Sequence, residues 1–180
     1  GAPDLRGETG YSEIERIGAR PSLDVNGMIS GFTGPGSKTI IPSWAMAKIS
    51  MRLVPDQDPK EVYKQFNQFL VERAPSTVSW ELKMLGGGAA SIANLKHPAV
   101  SAYKNALEEI WGTKPVFKRE GGSVPITRDF KEILGADSVL FGFGLPGDLI
   151  HSPNEHLHLP TWKKGIDAII VFLYEFSSIG

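Results

Sequence analysis

The chain has 180 residues and a mass of 19.6 kDa, room for one ordinary domain or two small ones with a core of their own. Hydrophobic residues make up 41% and charged residues 22%, and the net charge is −1, a globular balance that gives no reason to expect nucleic acid or an anionic membrane as partner. There is no cysteine, which excludes disulfides, thiolate metal ligands and a cysteine nucleophile.

Residues 1–20 are polar and without a clean period, and read as an extended or partly helical lead-in. The first residue is Gly rather than Met, and no signal-like or membrane-length apolar run occurs in the chain, so Gly1 is expected not to be the native start. Residues 22–26 alternate and predict a strand. Residues 27–38 carry Gly27, Gly31, Gly34, Pro35 and Gly36 and predict a long turn-rich connection. Residues 45–53 give the clearest strand, with Ala45, Ala47, Ile49, Met51 and Leu53 on one face and Lys48, Ser50 and Arg52 on the other. Asp58-Pro59 starts a helix that runs to Arg73. Alternation of Val78, Trp80, Leu82 and Met84 with polar residues predicts another half-exposed strand, so the first half reads as an antiparallel sheet covered on one side by helix.

The run Gly86-Gly87-Gly88-Ala89-Ala90-Ser91 is the domain boundary suggested by composition. Beyond it, residues 98–111 predict a helix stopped by Gly112, and residues 116–118 a short strand. Residues 126–134 predict a helix ended by Gly135. The continuous apolar run at 139–143 resembles a strand buried on both faces, and residues 162–176 form a closing helix, so the second half reads as α/β.

Three groups of residues are candidates for chemistry. His151 lies in a Gly- and Pro-rich loop just after the buried apolar run, where a neutral imidazole serves as metal ligand or acid/base; the pattern alone favours an ordinary loop histidine. Glu120-Gly121-Gly122-Ser123 precedes a helix and suits close backbone approach to a carboxylate or phosphate, or a plain turn. Arg52 on the polar strand face can pair bidentately with a carboxylate, and Thr39 after the glycine-rich connection offers one hydroxyl; a solvated arginine is the ordinary alternative. His156-x-His158 reads as a solvated loop rather than a chelating pair. No Walker loop, GxSxG, HExxH or Rossmann fingerprint is present.

Taken in order, five stretches resemble the M20 metallopeptidases, in particular the dipeptidase branch that includes carnosinase and cytosolic nonspecific dipeptidase. They are Arg20-Pro21-Ser22-Leu23-Asp24-Val25-Asn26-Gly27, Gly34-Pro35-Gly36-Ser37-Lys38-Thr39-Ile40-Ile41-Pro42, Ala47-Lys48-Ile49-Ser50-Met51-Arg52-Leu53-Val54-Pro55, Arg119-Glu120-Gly121-Gly122-Ser123-Val124-Pro125 and His151-Ser152-Pro153-Asn154-Glu155. The resemblance implies a mixed α/β (α+β) fold: a ferredoxin-like lid with an antiparallel sheet, plus the C-terminal segment of an α/β di-metal peptidase domain. Residues 1–88 would be the lid and dimerisation domain, without its first strand and helix, and residues 89–180 the closing segment of the catalytic domain.

The same resemblance implies two divalent metal ions, zinc or manganese, a homodimer formed through the lid, and a cytoplasmic setting, with an upstream signal sequence left open. His151 matches the last metal ligand. Arg52 matches the lid arginine that binds the substrate carboxylate, and Thr39 a lid residue reaching into the partner subunit's site. Gly122 and Ser123 match the segment that holds the substrate's C-terminal end. The other ligands, the bridging carboxylate and the general base match nothing in this chain. The parent is therefore expected to be a dipeptidase acting through metal-activated water, and the 180-residue chain alone to be inactive. An N-acyl amino acid deacylase of the same family and a non-catalytic dimerisation or binding relative are the alternatives. A lid without its first elements would leave a sheet edge open to non-native or swapped pairing.

Overall fold

A short helix, α1 (Glu13–Ala19), forms in the lead-in because its first turn caps itself. Ser12 Oγ accepts the Glu15 N–H at 3.4 Å, and Glu15 Oε2 accepts the Ser12 N–H at 2.8 Å. Beyond the helix, Arg20 donates through Nε and Nη2 to Glu8 at 2.8 and 2.6 Å, and its guanidinium carbon lies 4.5 Å from the centre of the Tyr11 ring. The Arg20 fork holds the Glu8 carboxyl below the usual carboxylate range, and the Ser12 N–H and hydroxyl do the same for Glu15. A carboxyl whose folded pKa is depressed stabilises the fold above its unfolded pKa, and that contribution is lost as pH falls through the folded value. Amide protection factors over residues 8–20, relative to the intrinsic exchange rate at each pH, should therefore fall as pH is lowered below about 4, while Ala102 and Ala106 stay protected.

The computed structural model describes residues 3–120, 124 and 126–179. They fall into two compact units, Gly1–Ser91 with Lys118–Arg128 and Ile92–Phe117 with Asp129–Gly180.

In the first unit, β1 (Ser22–Ser30) and β2 (Ala45–Arg52) pair antiparallel, from Ser22 opposite Arg52 to Ser30 opposite Ala45. The register slips between Val25 and Gly27, leaving Asn26 without a partner. β1 thus runs past residue 26, where the sequence predicts a turn-rich connection. Gly27 belongs to a bulge within the strand and not to a turn, a second use of glycine that a single sequence does not separate from the first.

Helix α2 (Pro59–Arg73) follows the predicted bounds. Asp58 Oδ1 accepts the N–H groups of Lys60 and Glu61 at 2.8 and 3.1 Å, and Pro59 opens the first turn. Asp58→Ala should cost about 1 kcal/mol, read as a lower urea midpoint of this unit. The helix does not cover the sheet as expected. It meets residues 82–87, where Tyr63 Oη donates to the Leu82 carbonyl at 3.0 Å and Pro59 Cβ lies 3.3 Å from where a Cβ on Gly87 would stand.

The predicted strands at 77–84, 116–118 and 139–143 are not strands among the described residues. Alternation or a run of apolar residues reports which faces are apolar, whereas a strand also needs a neighbouring ladder, and among the described residues only β1 and β2 supply one to each other.

The second unit is built on α3 (Pro98–Trp111) and α5 (Leu159–Ser177). His97 Nδ1 accepts the Ala99 N–H at 3.2 Å at the start of α3, and Gly112, at φ 70°, closes it. Helix α5 begins before the predicted Trp162 because Pro160 fits its first turn. Between them, α4 (Ile126–Leu134) ends at Gly135, at φ 65°, as the sequence predicts. The core is made of small residues, Ala99, Val100, Ala102 and Ala106 of α3 with Gly165 and Ala168 of α5. Beside it lies an aromatic cluster. Phe141 is 4.2 Å from Tyr103 and 5.1 Å from Phe172, centre to centre, and Phe143 stacks on Trp111 at 5.6 Å. The 139–143 run therefore contributes its aromatics to a core without forming the predicted strand.

Candidate functional site

Thr39 stands exposed in the connection between β1 and β2. Phe32 folds over Gly34, where a Cβ would meet the ring at 2.6 Å, and Lys38 Nζ lies 5.6 Å from the same ring. Ser30 Oγ donates to the Trp44 carbonyl at 3.3 Å and draws the two ends of the connection together. Arg52 is at the opposite end of β2, exposed, across from Ser22. Its placement on the polar face follows from strand alternation, as does that of Lys48.

Gly122 and Ser123 lie outside the described residues. Before them, the Arg119 carbonyl packs against the Cα of Gly18 so closely that a Cβ there would lie 2.8 Å from the carbonyl carbon. After them, Thr127 donates its N–H and hydroxyl to the Val124 carbonyl at 3.1 and 2.9 Å.

His151 is exposed in the loop before α5, and this loop belongs to the second unit, whereas Thr39 and Arg52 belong to the first. Three non-glycine residues of the loop have left-handed backbone: Leu149 at φ 55°, His151 at 61° and Asn154 at 64°. Each such conformation costs roughly 1 kcal/mol and persists only where the surroundings hold it. Here hydrogen bonds do so. The Ser152 N–H donates to the Leu149 carbonyl at 2.9 Å, the Glu155 N–H to the Ser152 carbonyl at 3.2 Å, and the His151 N–H to Glu155 Oε2 at 3.3 Å. At the base of the loop the Asp148 carbonyl accepts the His156 N–H at 3.0 Å.

Among the described residues neither ring nitrogen of His151 has a hydrogen-bond partner, so the imidazole has lone-pair capacity to offer a metal. By contrast, His156 Nδ1 is engaged by the Asn154 carbonyl at 3.0 Å and His158 Nδ1 by Thr161 Oγ1 at 2.8 Å, which fits the reading of these two as loop histidines. No group of three or more His, Cys, Asp or Glu that could hold a metal occurs among the described residues. His151 thus fits the part of one metal donor, and the donors for a complete centre are not assembled by these residues. Asp148 and Glu155, which shape the loop, were not singled out as site residues from the sequence; Pro-Gly-Asp reads as an exposed turn, and nothing local marks the aspartate as buried.

The family model for peptidase family M20/M25/M40 matches residues 5–175. The chain belongs to this family. The human Beta-Ala-His dipeptidase is 32% identical over 162 residues, which is 88% of this chain and 32% of the relative. Among solved structures, the dipeptidase Dug1p of Saccharomyces cerevisiae superimposes with a TM-score of 0.80 at 28% identity, over 92% of this chain and 35% of its own. An M20 family metallo-carboxypeptidase from Sulfolobus solfataricus gives 0.78 at 30% identity, over 92% and 39%. The chain spans about a third of the length of the curated relatives it matches. The mixed α/β fold class expected from the sequence is that of these M20 members. No helix among the described residues is long and apolar enough to cross a membrane.

Proposed function

We propose that this chain is the lid and C-terminal portion of a metal-dependent dipeptidase. The observation that carries the reading is the family match across residues 5–175, together with relatives named as dipeptidases and metallodipeptidases at about 30% identity. Residues 1–88 are assigned to the lid and dimerisation domain, without its first strand and helix, and residues 89–180 to the end of the catalytic domain. The protein acts as a homodimer in the cytoplasm and takes zinc or manganese.

The chain's own residues then have distinct tasks. His151 offers one imidazole to the metal centre, whose other donors lie outside this chain. When bound, the metal pair supplies an activated water and polarises the scissile carbonyl. Arg52 clamps the substrate's terminal carboxylate through its planar fork, a geometry a lysine would not reproduce. Thr39 hydrogen-bonds substrate in the partner subunit's site, and Gly122 with Ser123 holds the C-terminal end of the substrate. One ligand does not make a metal centre, so the 180-residue chain alone should not turn over dipeptides with either metal.

The test is to extend the reading frame upstream of Gly1, express its whole product and assay dipeptide hydrolysis with zinc and with manganese. Metal-dependent turnover is expected, and His151→Ala should lower kcat/KM by at least about a hundredfold. Arg52→Ala should raise KM by roughly tenfold to a hundredfold, the worth of a charge-assisted pair. Turnover that survives His151→Ala unchanged would remove His151 from the metal centre. A whole product without hydrolytic activity would overturn the dipeptidase reading.

A further inference from the structure

We infer that Asp148 is the positioning residue of the His151 loop, setting the backbone that carries the imidazole through a buried hydrogen bond; this rests on the proposed role of His151 only for its functional meaning. Asp148 is the buried polar residue of the described core, 3% exposed, while His151, Ser152 and Glu155 are all exposed. A carboxylate is costly to bury unless its oxygens are engaged. Its Oδ2 accepts the Leu145 N–H at 2.7 Å, and its own N–H donates to the Leu145 carbonyl at 3.0 Å, so side chain and main chain close the same turn.

The same residue anchors the other end of the loop, since its carbonyl accepts the His156 N–H at 3.0 Å. Residues 149–155, with their three left-handed positions, are thereby strung between two fixed ends that meet at Asp148. If the carboxylate lets go of Leu145, the turn keeps only its main-chain hydrogen bonds and loses the buried one that fixes it, and the left-handed backbone of His151 relaxes toward ordinary values. What the residue must do is accept a hydrogen bond in a confined place, a task that Asn can perform and Ala cannot.

The experiment uses the 180-residue chain and its D148A and D148N variants, followed by amide exchange and by the backbone chemical shifts of His151, which report its left-handed φ. In D148A the Leu145 and His156 amides should lose about tenfold or more in protection, the equivalent of one hydrogen bond. The His151 shifts should move toward extended or right-handed values. D148N should recover most of both. Exchange at Ala102 and Ala106 tells whether the second unit remains folded; if D148A unfolds it, D148N decides, and His151 shifts at their wild-type values there are the expected result. Unchanged His151 shifts in a folded D148A would overturn the inference, and so would a D148N no better than D148A. These readouts involve neither metal nor turnover, so they stand or fall separately from the dipeptidase reading.

Discussion

Replacing Ala168 by Leu is expected to destabilise the α3–α5 unit by about 3 kcal/mol, the upper end of what overpacking a core costs. Ala168 has no exposed surface, and it shares a face of α5 with Gly165 and Phe172, three residues before it and four after. The face of α3 toward the core carries Ala99, Ala102 and Ala106, so the two helices pack through small residues. At Gly165 the fit is tighter still. A Cβ there would meet Phe143 Cδ2, Cε2 and Cγ at 2.5, 2.8 and 2.9 Å. Because Cγ is among them, turning the ring about its own axis does not clear the clash. A leucine at 168 must push α5 away, and that loosens Phe172 from Phe141, at 5.1 Å, and strains the Asn105–Glu175 hydrogen bond of 3.0 Å. Urea unfolding followed by tryptophan fluorescence, to which Trp111 and Trp162 of this unit contribute, should show the midpoint falling sharply. Ala168→Gly, which adds no bulk, should cost only about 1 kcal/mol from helix propensity. An unchanged midpoint for the leucine variant would mean that the helices are not in close packing in solution.

The parts of the fold that the sequence makes legible are those whose signals are local. Asp58-Pro59, Gly112 and Gly135 mark helix ends by chemistry acting within four residues, and the helices begin or end there. That residues 77–84 do not form a strand was not legible in the same way. Val78, Trp80, Leu82 and Met84 do alternate, but pairing belongs to two segments at once, and the Leu82 carbonyl is taken by Tyr63 of α2 instead of a neighbouring strand. At Gly27 the ambiguity is of another kind, since a bulge and a turn ask for the same residue. Arg52, Thr39 and His151 came from motif order, which says what a residue is and not how it is held. The left-handed backbone of His151 and the burial of Asp148 are products of the closed loop, and non-glycine residues give no local sign of either.

A second large effect is expected at Gly18, with the opposite sign from the usual rule. Gly→Ala inside a helix ordinarily stabilises by up to about 1 kcal/mol. In α1 the new methyl would fall on the carbonyl oxygen of Arg119, with the carbonyl carbon at 2.8 Å and the Arg119 Cα at 3.6 Å. These are backbone atoms, so no side-chain rotation relieves the overlap, and either α1 or the segment at 118–120 must move. The cost should be about 2–3 kcal/mol, which outweighs the propensity gain. Amide exchange should quicken in α1 and around Arg119 together, while the second unit keeps its protection. The Glu8–Arg20 pair joins the chain on either side of the helix and should persist, visible as an unchanged response of residues 8–12 to acid. On the proposed reading, in which Gly122 and Ser123 hold the substrate's C-terminal end, the consequence in the whole protein would reach substrate binding, because these two residues follow Arg119 in the chain. KM should then rise more than kcat falls, the pattern of lost binding rather than lost chemistry. A Gly18→Ala variant that is more stable than the parent would mean that Arg119 does not approach α1 this closely, and Gly18 would then be an ordinary helical glycine.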